Sequence, residues 1–123
     1  MQLQRAMIFV KDLNRMAAFY GDMLGLKPVA ETRTGSWVEF NAGNASLALH
    51  AIPPYLADGI EISSPPRVRE TNPTKLVFAV EDVQSGRARL EELGVTIVLR
   101  PWGTCDGVDP EGNVFQISAS DPA

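Results

Sequence analysis

The chain has 123 residues, 45% hydrophobic and 21% charged, with a formal net charge of −4. Such a chain can bury a core without a metal or disulfide, and its single cysteine and single histidine exclude both a disulfide framework and a site built on several histidines of one chain. Its acidic balance and scattered arginines do not suit nucleic acid, and no apolar run approaches the roughly 20 residues of a membrane span. The opening shows no basic region followed by a long apolar core, so no signal peptide and a cytoplasmic location are expected.

In chain order, the first apolar run of strand length is Ala6–Val10, flanked by Arg5 and Lys11. Asp12 follows, a residue able to cap the first free N–H groups of a helix. Met16, Phe19, Tyr20, Met23 and Leu24 then form a helical stripe that stops at Gly25. Strands are predicted at Lys27–Ala30, Ser36–Asn41 and Ala45–Ala51, the last two joined by a turn at Ala42–Asn44. Residues 52–73 hold five of the nine prolines. That segment can be neither a long helix nor a central strand, and it reads either as a tether or as a lid.

The pattern then repeats. Lys75, an apolar run over Leu76–Val80, Glu81 and Asp82 follow Arg5 to Asp12 at an offset of 70. A thinner helical stripe of Val83, Leu90 and Leu93 ends at Gly94, where the offset falls to 69, so one helix is a residue shorter. Strands are expected at Val95–Arg100, near Thr104–Val108 and at Asn113–Ala119, with Asp109–Gly112 turning the last two. The fold class is therefore α+β, a tandem βαβββ repeat in one domain over 1–123. Its halves span about 1–51 and 74–119, with the linker at about 52–73.

Two segments carry a family resemblance: Val10–Leu26, reading V-K-D-L…F-Y…L-G-L, and Asp109–Ile117, reading D-P-E-G-N…I, with Pro101-Trp102-Gly103 before it. They resemble the vicinal-oxygen-chelate superfamily, which includes glyoxalase I, extradiol dioxygenases and bleomycin-resistance binding proteins. The resemblance implies tandem βαβββ units in a curved, half-barrel mixed sheet. It does not fix the function, because one scaffold hosts unrelated chemistries. The metal positions it implies fall at Arg5, Ala48, Lys75 and Gln116. Arginine and lysine offer protons rather than lone pairs, and alanine offers nothing, so neither a metal nor another cofactor is expected.

Strand alternation puts Arg5, Met7, Phe9, Trp37, Glu39, Ala48, His50, Lys75, Val77, Ala79, Val114 and Gln116 on one face. That is the mixture of apolar walls and orienting polar groups found in small-molecule sites, although part of it could instead meet a partner subunit. The candidate ligand-binding residues are Arg5, Met7, Trp37, Glu39, His50, Lys75, Trp102 and Gln116. Arg5 and Lys75 are repeat mates, and each calls for a negative partner (Glu39 or a bound anion) unless it reaches solvent. His50 is read as a rim histidine, a ligand contact or a metal ligand. Trp37 and Trp102 are read as flat walls in comparable places after each helix, with a dimer seam as the alternative for Trp102. The expectation is metal-independent binding of a small, flat, partly aromatic molecule by a symmetric homodimer, as in bleomycin-type resistance. The alternatives are an acid–base enzyme of the lyase, isomerase or dioxygenase kind, whose catalytic residues the sequence does not identify, and a non-catalytic interaction module. Neither nucleic acid nor a membrane is expected as a partner.

Overall fold

The computed structural model describes residues 1–120 and divides the chain into two compact units, Met1–Ser63 and Ser64 onward. The linker expected at 52–73 is thus shared between them.

The first unit runs β1 (Arg5–Val10), α1 (Leu13–Ala18), β2 (Lys27–Pro28), β3 (Trp37–Ala42), β4 (Ala45–Ala51) and a single-turn α2 (Pro54–Ala57). Asp12 caps α1 by accepting from the Arg15 N–H at 3.1 Å. The helix then continues as a π-helical turn over Phe19–Met23, with Leu24 N–H bonded to the Phe19 carbonyl at 3.0 Å. This turn explains the change in repeat offset. The first helical segment carries one more residue between cap and terminal glycine than the second, and a wider i→i+5 turn absorbs it. The sheet order is β1-β4-β3-β2, with β1 parallel to β4 and the other pairs antiparallel. Met16, Phe19, Tyr20, Val38, Phe40, Leu47 and Leu49 are buried between helix and sheet.

The second unit runs β5 (Leu76–Val80), α3 (Val83–Glu92), β6 (Ile97–Leu99), β7 (Cys105–Val108) and β8 (Val114–Ala119), in the sheet order β5-β8-β7-β6. Asp82 caps α3 through the Gln84 N–H at 3.1 Å and the Ser85 hydroxyl at 2.7 Å. Both helical segments end on glycines of positive φ, Gly25 at 78° and Gly94 at 88°. The two sheets are therefore open and mixed, with the same β-α-β-β-β order in each repeat.

Three sequence expectations change. The strand expected at Lys27–Ala30 shrinks to Lys27–Pro28, because a 3-10 turn takes Ala30–Thr32. The strand expected at Val95–Arg100 covers only Ile97–Leu99. Leu93 does not join the core stripe; it is 42% exposed at the C-terminal end of α3.

The repeats differ inside their cores in a compensating way. Phe40 of β3 pairs with Leu47 of β4, while their counterparts are Gly107 of β7 and Phe115 of β8. The large ring has moved to the neighbouring strand, and glycine makes room for it. A Cβ built on Gly107 would stand 2.3 Å from the Phe115 ring. Phe115 in turn meets Phe78 edge-on, at a centroid distance of 6.1 Å.

The linker is anchored to its neighbours. Ile52 N–H bonds the Val10 carbonyl and the Lys11 ammonium bonds the Ile60 carbonyl. Farther on, Arg69 N–H bonds the Gly112 carbonyl at 2.9 Å. Gly112 lies in the Asp109–Asn113 turn, where the buried Asp109 carboxylate accepts from the Glu111 and Asn113 N–H groups, both at 2.9 Å. The D-P-E-G-N run of the sequence is thus a self-capping turn.

Candidate functional site

Cross-strand partners point to the same face of a sheet. In the first unit the register aligns Arg5 with Ser46, Met7 with Ala48 and Phe9 with His50, then His50 with Trp37 and Ala48 with Glu39. Five candidates, Arg5, Met7, Trp37, Glu39 and His50, therefore share the face turned away from α1. Arg5 Nε lies 3.3 Å from a Glu39 carboxylate oxygen and 3.2 Å from the Ser46 hydroxyl, and its guanidinium sits 5.6 Å from the centre of the Trp37 ring. Burial opposes the ionised Glu39, but a hydrogen bond from Ser46, the largest influence, and the bond and charge of Arg5 hold its carboxyl below the ordinary range. Glu39, one of the partners the sequence offers for Arg5, is the carboxylate that pairs with it.

Beside this ion pair is an aromatic patch. The His50 ring is 5.4 Å from Phe9 and 5.7 Å from Trp37, centre to centre, and makes no side-chain hydrogen bond among the described residues. Phe9 is 54% and Met7 45% exposed, large apolar groups left open beside Trp37 and the closed polar pair.

The second unit repeats the ion pair with a different balance. By register, Asp106 of β7 is the counterpart of Glu39, Gln116 of Ala48 and Val77 of Met7. Asp106 is only 2% exposed. One of its oxygens accepts from Lys75 Nζ at 2.9 Å and from Arg100 Nε and Nη2 at 2.9 and 2.7 Å, while the other accepts from Gln116 at 3.1 Å. Burial alone would raise this carboxyl; the bonds from Lys75, Arg100 and Gln116 outweigh it and hold the group below its ordinary value.

Asp106 and Arg100 are absent from the residues singled out in the sequence. The repeat itself signals Asp106, because the register position of Glu39 in β3 falls on Asp106 in β7, where Lys75 reaches it across β8; nothing in the repeat marks Arg100. Trp102 departs from the symmetry argument. The register counterpart of Trp37 is Thr104, and Trp102 lies before it in the β6–β7 turn, 68% exposed. The two tryptophans are not in comparable places. Cys105 is fully buried, and burial pushes its thiol pKa up, opposite to the shift that activates a nucleophile.

The four implied metal positions make a poor donor set. Arg5 and Lys75 are cations already paired with carboxylates, Ala48 has no donor atom, and Gln116 points its amide nitrogen at Asp106. No group of three or more His, Cys, Asp or Glu side chains among the described residues is arranged to hold a metal ion. The residues present do not fit the metal that the resemblance implies.

A family model described as the Glyoxalase/Bleomycin resistance protein/Dioxygenase superfamily matches residues 2–117. Among solved structures the chain is similar to a glyoxalase/bleomycin resistance protein/dioxygenase family enzyme from Burkholderia phytofirmans PsJN, with 24% identity, TM-score 0.72, and 95% of this chain and 97% of that one covered. It is similar to TnmS3, an antibiotic binding protein from Streptomyces sp. CB03234, with 24% identity, TM-score 0.70, and 98% and 97% covered. It is also similar to a lactoylglutathione lyase from Agrobacterium tumefaciens, with 25% identity, TM-score 0.64, and 94% and 91% covered. No curated protein matches the sequence significantly.

Proposed function

Because the chain belongs to the Glyoxalase/Bleomycin resistance protein/Dioxygenase superfamily, we propose that it uses that scaffold to bind a small, flat, partly aromatic molecule without a metal. The observation that carries this reading is the replacement of ligand positions by ion pairs. Arg5 and Lys75 are tied to Glu39 and Asp106 in register-equivalent ways. Both cations organise polar side chains on their sheet faces and themselves offer a divalent ion no lone pair. The open Phe9–His50–Trp37 patch supplies the flat apolar surface against which a ring would stack.

Binding is favoured over acid–base turnover. A general base works best when its pKa lies near the working pH, and Glu39 is moved the other way. His50 is flanked by rings rather than by a carboxylate that would orient it. The neighbouring folds include both an antibiotic binding protein and a lyase, so the experiment must separate the two activities. Aromatic antibiotics and phenolic metabolites are screened by tryptophan fluorescence, and the hits are repeated with Trp37→Ala, Trp102→Ala and His50→Ala. Loss of a stacking wall lowers affinity by about thirtyfold. This is expected for Trp37→Ala, with a smaller effect for Trp102→Ala. Chemical conversion of a hit by the wild type, lost in His50→Ala while binding remains, would decide for catalysis.

A further inference from the structure

The two ion-paired clusters are not electrically equivalent. In the first unit one guanidinium meets one carboxylate, and the Trp37 ring covers the cation as well. In the second unit Lys75 and Arg100 converge on a single Asp106 oxygen. Among the described residues that cluster carries one carboxylate against two cations. The Asp106 side chain is nearly closed off, with both oxygens engaged, whereas those of Lys75 and Arg100 are 41% and 37% exposed. Most of their N–H donors therefore remain for another acceptor. Val77 and Val98, on the same face by register, are both substantially exposed and make apolar flanks. The chain as a whole repels anions at −4, but at contact distance local charge outweighs distant charge screened by salt.

We propose that Lys75 and Arg100, held side by side by the buried Asp106, bind the carboxylate of an aromatic acid. This deepens the small-molecule reading above and rests on it only for the aromatic class of the ligand; the site itself lies within the second unit, with Val77 and Val98 as its apolar flanks. Asp106 acts as the positioning residue. It fixes the guanidinium through Nε and Nη2 and draws the ammonium beside it, so that a second carboxylate meets donors already in place. Gln116 locks the other Asp106 oxygen.

The test is a nuclear magnetic resonance titration of the isotope-labelled full chain with benzoate and, separately, with benzyl alcohol, its neutral analogue of similar shape. The expected result is a saturable shift of the Arg100 Nε–H resonance with benzoate and binding about tenfold weaker, or more, for benzyl alcohol. Lys75→Met and Arg100→Met should each weaken benzoate by about tenfold and leave benzyl alcohol unchanged. No saturable shift at Arg100, equal affinity for the two probes, or wild-type benzoate affinity in both variants would overturn the proposal. Benzyl alcohol shifts at Trp37 or His50, with no saturable benzoate shift at Arg100, would overturn the anion site and leave the small-molecule reading standing. That outcome separates the two readings.

Discussion

Asp106→Asn keeps the shape of the side chain and removes its charge. The magnitude follows from the geometry. Lys75 Nζ and Arg100 Nη2 lie 2.9 and 2.7 Å from the same oxygen, so they are at most 5.6 Å apart. Two unit charges at that distance repel by about 3 kcal/mol at an effective dielectric constant of 20 and by about 0.7 kcal/mol in bulk water. Both side chains are more than a third exposed, so the smaller half of that range applies. Adding the weakened hydrogen bonds to Asp106 gives an expected loss of about 2 kcal/mol, below the 3–5 kcal/mol of a fully buried broken pair. Urea unfolding followed by tryptophan fluorescence measures it. The decisive arm is the double-mutant cycle. Lys75→Met alone should cost at most about 1 kcal/mol, because its ion pair is partly exposed. In the Asp106→Asn background the same change should restore stability, since it removes a cation that has lost its neutraliser. If Lys75→Met costs the same in both backgrounds, or Asp106→Asn lies within about 0.5 kcal/mol of wild type, the charge arrangement reasoned here is wrong.

Gly107→Ala should destabilise by about 2–4 kcal/mol in the same unfolding assay, because the new methyl meets the buried Phe115 ring; Phe115→Leu in that background should recover part of the loss. Asp106 and Glu39 have folded pKa values below their ordinary range, so their stabilisation is whole above the unfolded carboxylate value of about 4 and is lost as pH falls through the folded values. The urea midpoint should accordingly drop as the buffer goes from about pH 5 to pH 3, less steeply in Asp106→Asn, and identical slopes would contradict the assignment. The edge strands of the two four-stranded sheets lead us to expect a symmetric homodimer at micromolar concentration; a monomeric mass by sedimentation would refute it.

Much of the fold was legible because the chain repeats itself. Asp12 and Asp82 marked the helix starts, Gly25 and Gly94 their ends, and alternation along Ala6–Val10 and Leu76–Val80 distinguished the two strand faces. The residue missing between the two offsets was visible too, but its expression as a π turn at Phe19–Met23 depends on backbone bonding that spacing does not specify. The site was less legible. Glu39 could be named as a partner for Arg5 because it lies in an obviously alternating strand. The β7 segment, Cys105–Val108, is too short and too polar to show its faces, so Asp106 went unread, and Arg100 lies just beyond a strand end. Trp102 misled for a related reason. Similar distance from a helix is not the same register, and the β6–β7 turn carries it away from the position equivalent to Trp37. Periodicity tells which side of a sheet a residue faces; a pair that meets across an intervening strand, such as Lys75 and Asp106, follows only from register.

The most direct measurement is the metal content of the purified full chain, expressed with zinc, nickel, iron and manganese supplied and then dialysed against a chelator, read beside its affinity for a confirmed ligand. With Arg5, Ala48, Lys75 and Gln116 at the ligand positions, the expected result is substoichiometric metal of every kind and an affinity that the chelator leaves unchanged. One tightly held divalent ion per chain, or binding that disappears with the metal and returns on its addition, would contradict it.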